Sequence, residues 1–94
     1  MSCAKVEINK IIGNAKIIYE TSKDTDYVVC IPGCNIITQY LTTVSVLHAT
    51  PVSKGEAEAR FTLIKKKHGN AQVISYKTAL TEFIDIMKRV IILL

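Results

Sequence analysis

The chain is expected to form one α+β domain over residues 1–94, a single two-layer sandwich with two helices on one face of a mainly antiparallel sheet, in the order ββ-β-α-ββ-α. Three observations predict this. The run Tyr27-Val28-Val29-Cys30-Ile31 is apolar without alternation, as a strand covered on both faces would be. Two glycine-asparagine pairs, Gly13-Asn14 and Gly69-Asn70, each stand between β-branched stretches in the manner of a hairpin turn. Leu80, Phe83, Met87, Val90 and Leu94 recur at the spacing of one helix face.

From the beginning of the chain, residues 5–20 (KVEINKIIGNAKIIYE) read as a hairpin turning at Gly13-Asn14, and residues 21–26 (TSKDTD) as a polar turn. Tyr27–Ile31 is then the central strand. Pro32-Gly33 breaks it, and Asn35 suits a helix N-cap. Ile37, Tyr40, Leu41, Val44, Leu47 and His48 follow at helical spacing, although the β-branched residues at 42, 43, 44 and 46 weaken that helix. Residues 49–59 (ATPVSKGEAEA) read as a linker within the domain. A second hairpin is expected over 60–76, with His68-Gly69-Asn70 at its tip. The last helix begins at about Thr78, and its apolar stripe, widened by Ile84, Ile86 and Ile91, must be buried against its own sheet or a partner chain.

Composition narrows the class. A hydrophobic share of 49% against 21% charged residues excludes a disordered chain, and two prolines with four glycines exclude low-complexity or collagen-like structure. The longest apolar runs are about five residues, far from the ~20 that span a bilayer. The first residues do not show the pattern of a secretory signal. A cytoplasmic protein without membrane association is therefore expected. Cys3, Cys30 and Cys34 form no C-x-x-C and stand far in sequence from His48 and His68, a poor zinc inventory, so neither metal nor cofactor is expected. A Cys30–Cys34 disulfide stays open, with free thiols the default.

Charge is the most uneven property. Residues 1–31 carry four lysines against four acids, residues 32–59 one lysine against two acids, and residues 78–94 two cations against two acids. Residues 60–77 carry Arg60, Lys65, Lys66, Lys67 and Lys77 with no acid, so the whole net charge of +4 traces to the expected second hairpin. A protruding basic ribbon suits largely sequence-independent contact with nucleic-acid phosphates, with His68 and Asn70 adding hydrogen-bond donors. Lysines that protect an edge strand from unwanted pairing would give the same pattern with no ligand. A second class of function is an oligomerising interaction module, a homodimer packed through Leu80, Phe83, Met87, Val90 and Leu94.

Two stretches resemble the Alba family of small chromatin and RNA-binding proteins. Gly33-Cys34-Asn35-Ile36-Ile37-Thr38-Gln39-Tyr40 is similar in spacing to that family's strand-to-helix segment, and Gly69-Asn70-Ala71 with Lys77-Thr78-Ala79 and Lys88-Arg89 resembles its glycine-containing basic loop and following helix. The family's lysine pair after the first glycine is Cys34-Asn35 here. The resemblance implies a dimeric domain that binds DNA or RNA.

Other chemistry is sparse. Cys34 would sit beside a helix N-terminus, where a thiol's pKa falls, but His48 would lie about 20 Å away along that helix. Glu56 and Glu58 fall in the linker and Asp24 and Asp26 in a turn, and no phosphate-loop or dinucleotide motif is present. The chain is expected not to be an enzyme. Tyr19, Tyr27 and Tyr76, placed on strands, suit either edge packing or base stacking.

Overall fold

The computed structural model describes residues 3–32, 35–38, 41–43 and 46–94. Its elements are α1 (Cys3–Thr21), β1 (Tyr27–Ile31), β2 (Asn35–Thr38), β3 (Leu41–Thr43), a 3-10 turn (Val46–His48), α2 (Lys54–Ile64), β4 (Gln72–Ser75) and α3 (Tyr76–Leu93). The strands form one sheet in the order β3-β2-β1-β4, with every pairing antiparallel. The α+β class and the antiparallel sheet therefore hold. The expected order and the two-layer arrangement do not.

The first correction is at the start of the chain, where residues 5–20 form a helix rather than a hairpin. Ile8, Ile11, Ile12, Ala15 and Ile18 recur on one side of α1 and pack into the core, Ile12 and Ala15 being buried. Gly13 lies inside this helix. The helix ends where hydroxyls take over its last carbonyls: Thr21 Oγ1 donates to Ile17 O (3.1 Å), and Ser22 Oγ donates to Tyr19 O (2.9 Å). The polar stretch then turns as expected, with Lys23 N donating to Asp26 Oδ2 (3.0 Å).

β1 is the central strand, paired with β2 on one side and β4 on the other. Its alternation separates two cores. Val28 and Cys30 face α1 and α3, while Val29 faces α2, and all three are buried. Ile36 and Ile37 on β2 divide in the same way. Helices thus cover both faces: α1 and α3 on one, α2 alone on the other. A strand of this kind shows no polar alternation because neither face is wet.

The helix expected from Ile37 is absent over the described residues of that stretch. β2 and β3 stand there instead, with Ile36 opposite Thr43 and Ile37 opposite Thr42, followed by the short turn at Val46–His48. β-branched residues lose little freedom in strands, and the pairing with β1 settles the contest. The expected placements of Cys34 and Tyr40 fall outside the described residues.

The expected linker and second hairpin are corrected together. Ser53 caps α2, its hydroxyl accepting from Glu56 N (3.3 Å), and the sequence Ser53-x-x-Glu56 has the form of a capping box. Ala57, Phe61 and Ile64 recur on one side and pack on the Val29 face of the sheet. Arg60 to Ile64 is therefore helix, and only Gln72–Ser75 of the expected hairpin is strand. Ser75 closes β4 and at once caps α3, accepting from Thr78 N (3.1 Å). α3 is the helix that the spacing predicted, beginning two residues earlier.

Candidate functional site

The sequence places seven residues in a cationic site, and the fold divides them. Arg60 is half-buried on α2. Lys65, Lys66 and Lys67 follow in an exposed turn, and His68 is half-buried after them. The turn is held by backbone bonds: Lys65 N to Phe61 O, and Lys67 N and His68 N both to Ile64 O, each 2.9 Å. Ala71 N then donates to His68 O (2.9 Å), leaving Gly69 and Asn70 exposed at the outer bend. Arg60 precedes Lys65 by five residues, about 8 Å along a helix axis.

Lys77 does not join them. It stands on the first turn of α3, beyond the opposite end of β4, whose four residues span about 13 Å. Its Nζ donates to Tyr19 O (2.7 Å) and lies 4.3 Å from the centre of the Tyr19 ring. The ammonium group thus joins the Ser22 hydroxyl on a last-turn carbonyl at the C-terminal end of α1, where the negative end of the helix dipole favours a cation.

The remaining four cations have a structural rationale of their own. α2 carries Glu56 in its first turn and lysines after its last, the polarity its dipole favours at about 0.3–1 kcal/mol per charge. Among the described residues no ion pair or side-chain hydrogen bond engages Arg60, Lys65, Lys66 or Lys67. The three lysines are exposed to solvent or ligand, and Arg60 is half-buried. The bearer is a helix end and its turn rather than a β-ribbon.

The tyrosines divide as well. Tyr76 is core: its hydroxyl donates to Val46 O (3.2 Å), and burial, with the Asp26 carboxylate nearby, pushes its pKa above the ordinary value. Tyr19 lies on α1, not on a strand, and is occupied by Lys77. Tyr27, on β1, lies 5.9 Å from Lys54 Nζ.

Of the apolar residues assigned to an oligomer interface, Leu80 and Phe83 are buried within the chain itself. Met87 packs at the margin of the same core, Val90 is half-buried, and Leu94 is exposed. A cavity of about 170 Å³ lies between β1, β2, β4 and α3, walled by Cys30, Pro32, Ile36, Ile74 and Glu82 among others. That is below the ~300 Å³ at which small-molecule sites begin, whereas two more open hollows, one of about 320 Å³ between α1 and α3 and one of about 360 Å³ beside Asp26 and Tyr76, reach it. Among the described residues no group of His, Cys, Asp and Glu could hold a metal ion, and no helix is long and apolar enough to cross a membrane.

Fold and site together define an antiparallel α+β domain with a cationic helix end. No family model matches the chain, nor does any curated protein or solved structure. Within the stretch that resembles the Alba strand-to-helix segment, Asn35–Thr38 is strand, and Gly33, Cys34, Gln39 and Tyr40 lie outside the described residues.

Proposed function

We propose that the chain captures nucleic acid by its phosphate backbone, without reading base sequence, through Arg60, Lys65, Lys66 and Lys67, and that it does so in the cytoplasm as a pair of chains. One observation carries this reading: four cations fall within eight residues at one end of α2, with no acid among them and no partner in the described structure. Each phosphate neutralised releases condensed counterions, which supplies affinity regardless of base identity. The dipole that favours lysines here opposes an anion at the helix end itself, so contact runs through extended ammonium groups rather than backbone amides. His68 and Asn70, on the bend beyond the lysines, lie close enough in sequence to add hydrogen bonds to the same backbone.

The experiment is fluorescence anisotropy with single- and double-stranded DNA and RNA across a salt series. Three or four contacts at ~0.9 counterions each give a slope of log affinity on log salt near −3. Replacing Lys65, Lys66 and Lys67 together by glutamine abolishes binding and leaves the fold intact. Unchanged affinity of that variant for both DNA and RNA refutes the reading. A second reading, an oligomerising interaction module, draws on the exposed side chains Ile92, Leu93 and Leu94 of α3.

A further inference from the structure

We infer that the projecting end of the α1–α3 pair docks against the same end of a second copy of this chain. This surface is separate from the phosphate contacts and gives a place to the pairing named above.

The projection follows from lengths. α1 and α3 are antiparallel, because Lys77 at the start of α3 grips Tyr19 near the end of α1. At 1.5 Å per residue their 19 and 18 residues each run nearly 30 Å, whereas the strands have five residues or fewer. α3 begins beside Asp26, where Tyr76 N donates to Asp26 O. Glu82 already shares the cavity wall with Gln72, at the other end of β4. Two turns of α3 therefore cover the sheet, and the later turns extend past the described strands, with α1 beside them among the described residues. The last α3 residue packed on the core is Met87, and the first on α1 is Ile8. The molecule measures 46 × 27 × 16 Å, and its radius of gyration of 13.9 Å exceeds the ~12 Å of a compact chain of this length.

The arm's surface is apolar where a surface helix should be polar. Ile92 and Leu93 are 80% and 85% exposed, and Val6 and Leu94 54% each. On the order of 100 Å² of apolar surface per fully exposed aliphatic side chain gives roughly 270 Å² from these four. The half-buried Val90 and Ile91, each no more than about a third exposed, raise this to about 340 Å² per copy. Two copies then bury ~680 Å² of apolar surface, which at the ~65% apolar share of homodimer interfaces corresponds to about 1,050 Å² in all. That is about the ~1,000 Å² that a specific interface must clear. No side chain from Val90 to Leu94 is ionic, so no side-chain charge is desolvated at that part of the contact, while Lys5 and Glu7 are exposed beside Val6. Lys88 and Arg89 stand at its margin, where cations of two copies repel each other and salt relieves the repulsion. A two-fold pairing of helix pairs makes a four-helix contact with both copies using one patch.

Sedimentation velocity between roughly 1 and 300 µM, the range that so modest an interface implies, tests the inference. The wild-type chain shifts from monomer to dimer across that range, and more salt tightens the dimer while weakening phosphate binding. Ile92→Glu with Leu93→Glu stays monomeric and keeps the wild-type circular dichroism spectrum. Leu63→Glu, at an apolar site on α2 that is 62% exposed, still dimerises. A wild-type chain that is monomeric throughout, including one that instead sediments with anionic vesicles, overturns the inference, as does a double variant that dimerises like wild type. Loss of the dimer with anisotropy intact leaves the phosphate reading standing, and the converse result leaves the dimer standing.

Discussion

Replacing Gly13 by alanine distinguishes the helix α1 from the hairpin that the sequence suggests. Gly13 lies in the interior of Cys3–Thr21 and is exposed, and a Cβ built on it meets no atom within 4 Å. Its backbone is not in the left-handed region, so nothing in the fold calls for glycine there. The substitution restricts the unfolded chain and costs the helix nothing, a gain of about 0.5–1 kcal/mol. At ~4–8 °C per kcal/mol for a domain of this size, the melting midpoint should rise by about 2–8 °C. Thermal unfolding followed at 222 nm measures it, with the native spectrum unchanged. A two-residue hairpin turn would need a positive φ at this position, and alanine would then lower the midpoint. A fall of several degrees refutes the helical placement of residues 3–21.

Three further outcomes follow from the contacts. Tyr76→Phe removes one of the two donors to the Val46 carbonyl, the Ala49 amide remaining, and should cost about 0.5–1.5 kcal/mol, read by urea unfolding at neutral pH. Because the folded pKa of Tyr76 is raised, the unfolded chain releases that proton first. Its contribution is full below about pH 10 and is lost as pH climbs through the folded value, so wild-type stability should decline there more steeply than that of Tyr76→Phe. Lys77→Met removes the cation from Tyr19 and its carbonyl and should destabilise by about 1 kcal/mol, while nucleic-acid affinity stays unchanged. An affinity loss matching that of a Lys65 variant would return Lys77 to the cationic site.

How much of this was legible varies by element, for physical reasons. β1 was legible because double-sided burial removes alternation, and α3 because one stripe of spacing runs its whole length. In α1 the Gly13-Asn14 pair suggests a turn, yet the spacing of Ile8, Ile11, Ile12, Ala15 and Ile18 carries the helix that forms. Around α2, Pro51 and Gly55 have the look of a linker, whereas Ser53 and Glu56 carry the capping pattern and Ala57, Phe61 and Ile64 the helical one. For β2 and β3 the local signals truly compete, and only pairing across the sheet decides between them. The charge cluster was legible as an excess, but not its shape. Lys77 leaves it through a contact with Tyr19, far away in the chain, which no local pattern announces.

The placement of β1 bears on synthesis. Its neighbour β2 follows it within a few residues, whereas β4 emerges only after the whole of α2 has been made. During translation one side of β1 stays an open template, with amides and carbonyls unmatched, until the distant strand arrives. A nascent chain stalled before Gln72 would therefore be sticky at that side, and completing β4 is the step that makes the newborn molecule safe from joining its neighbours.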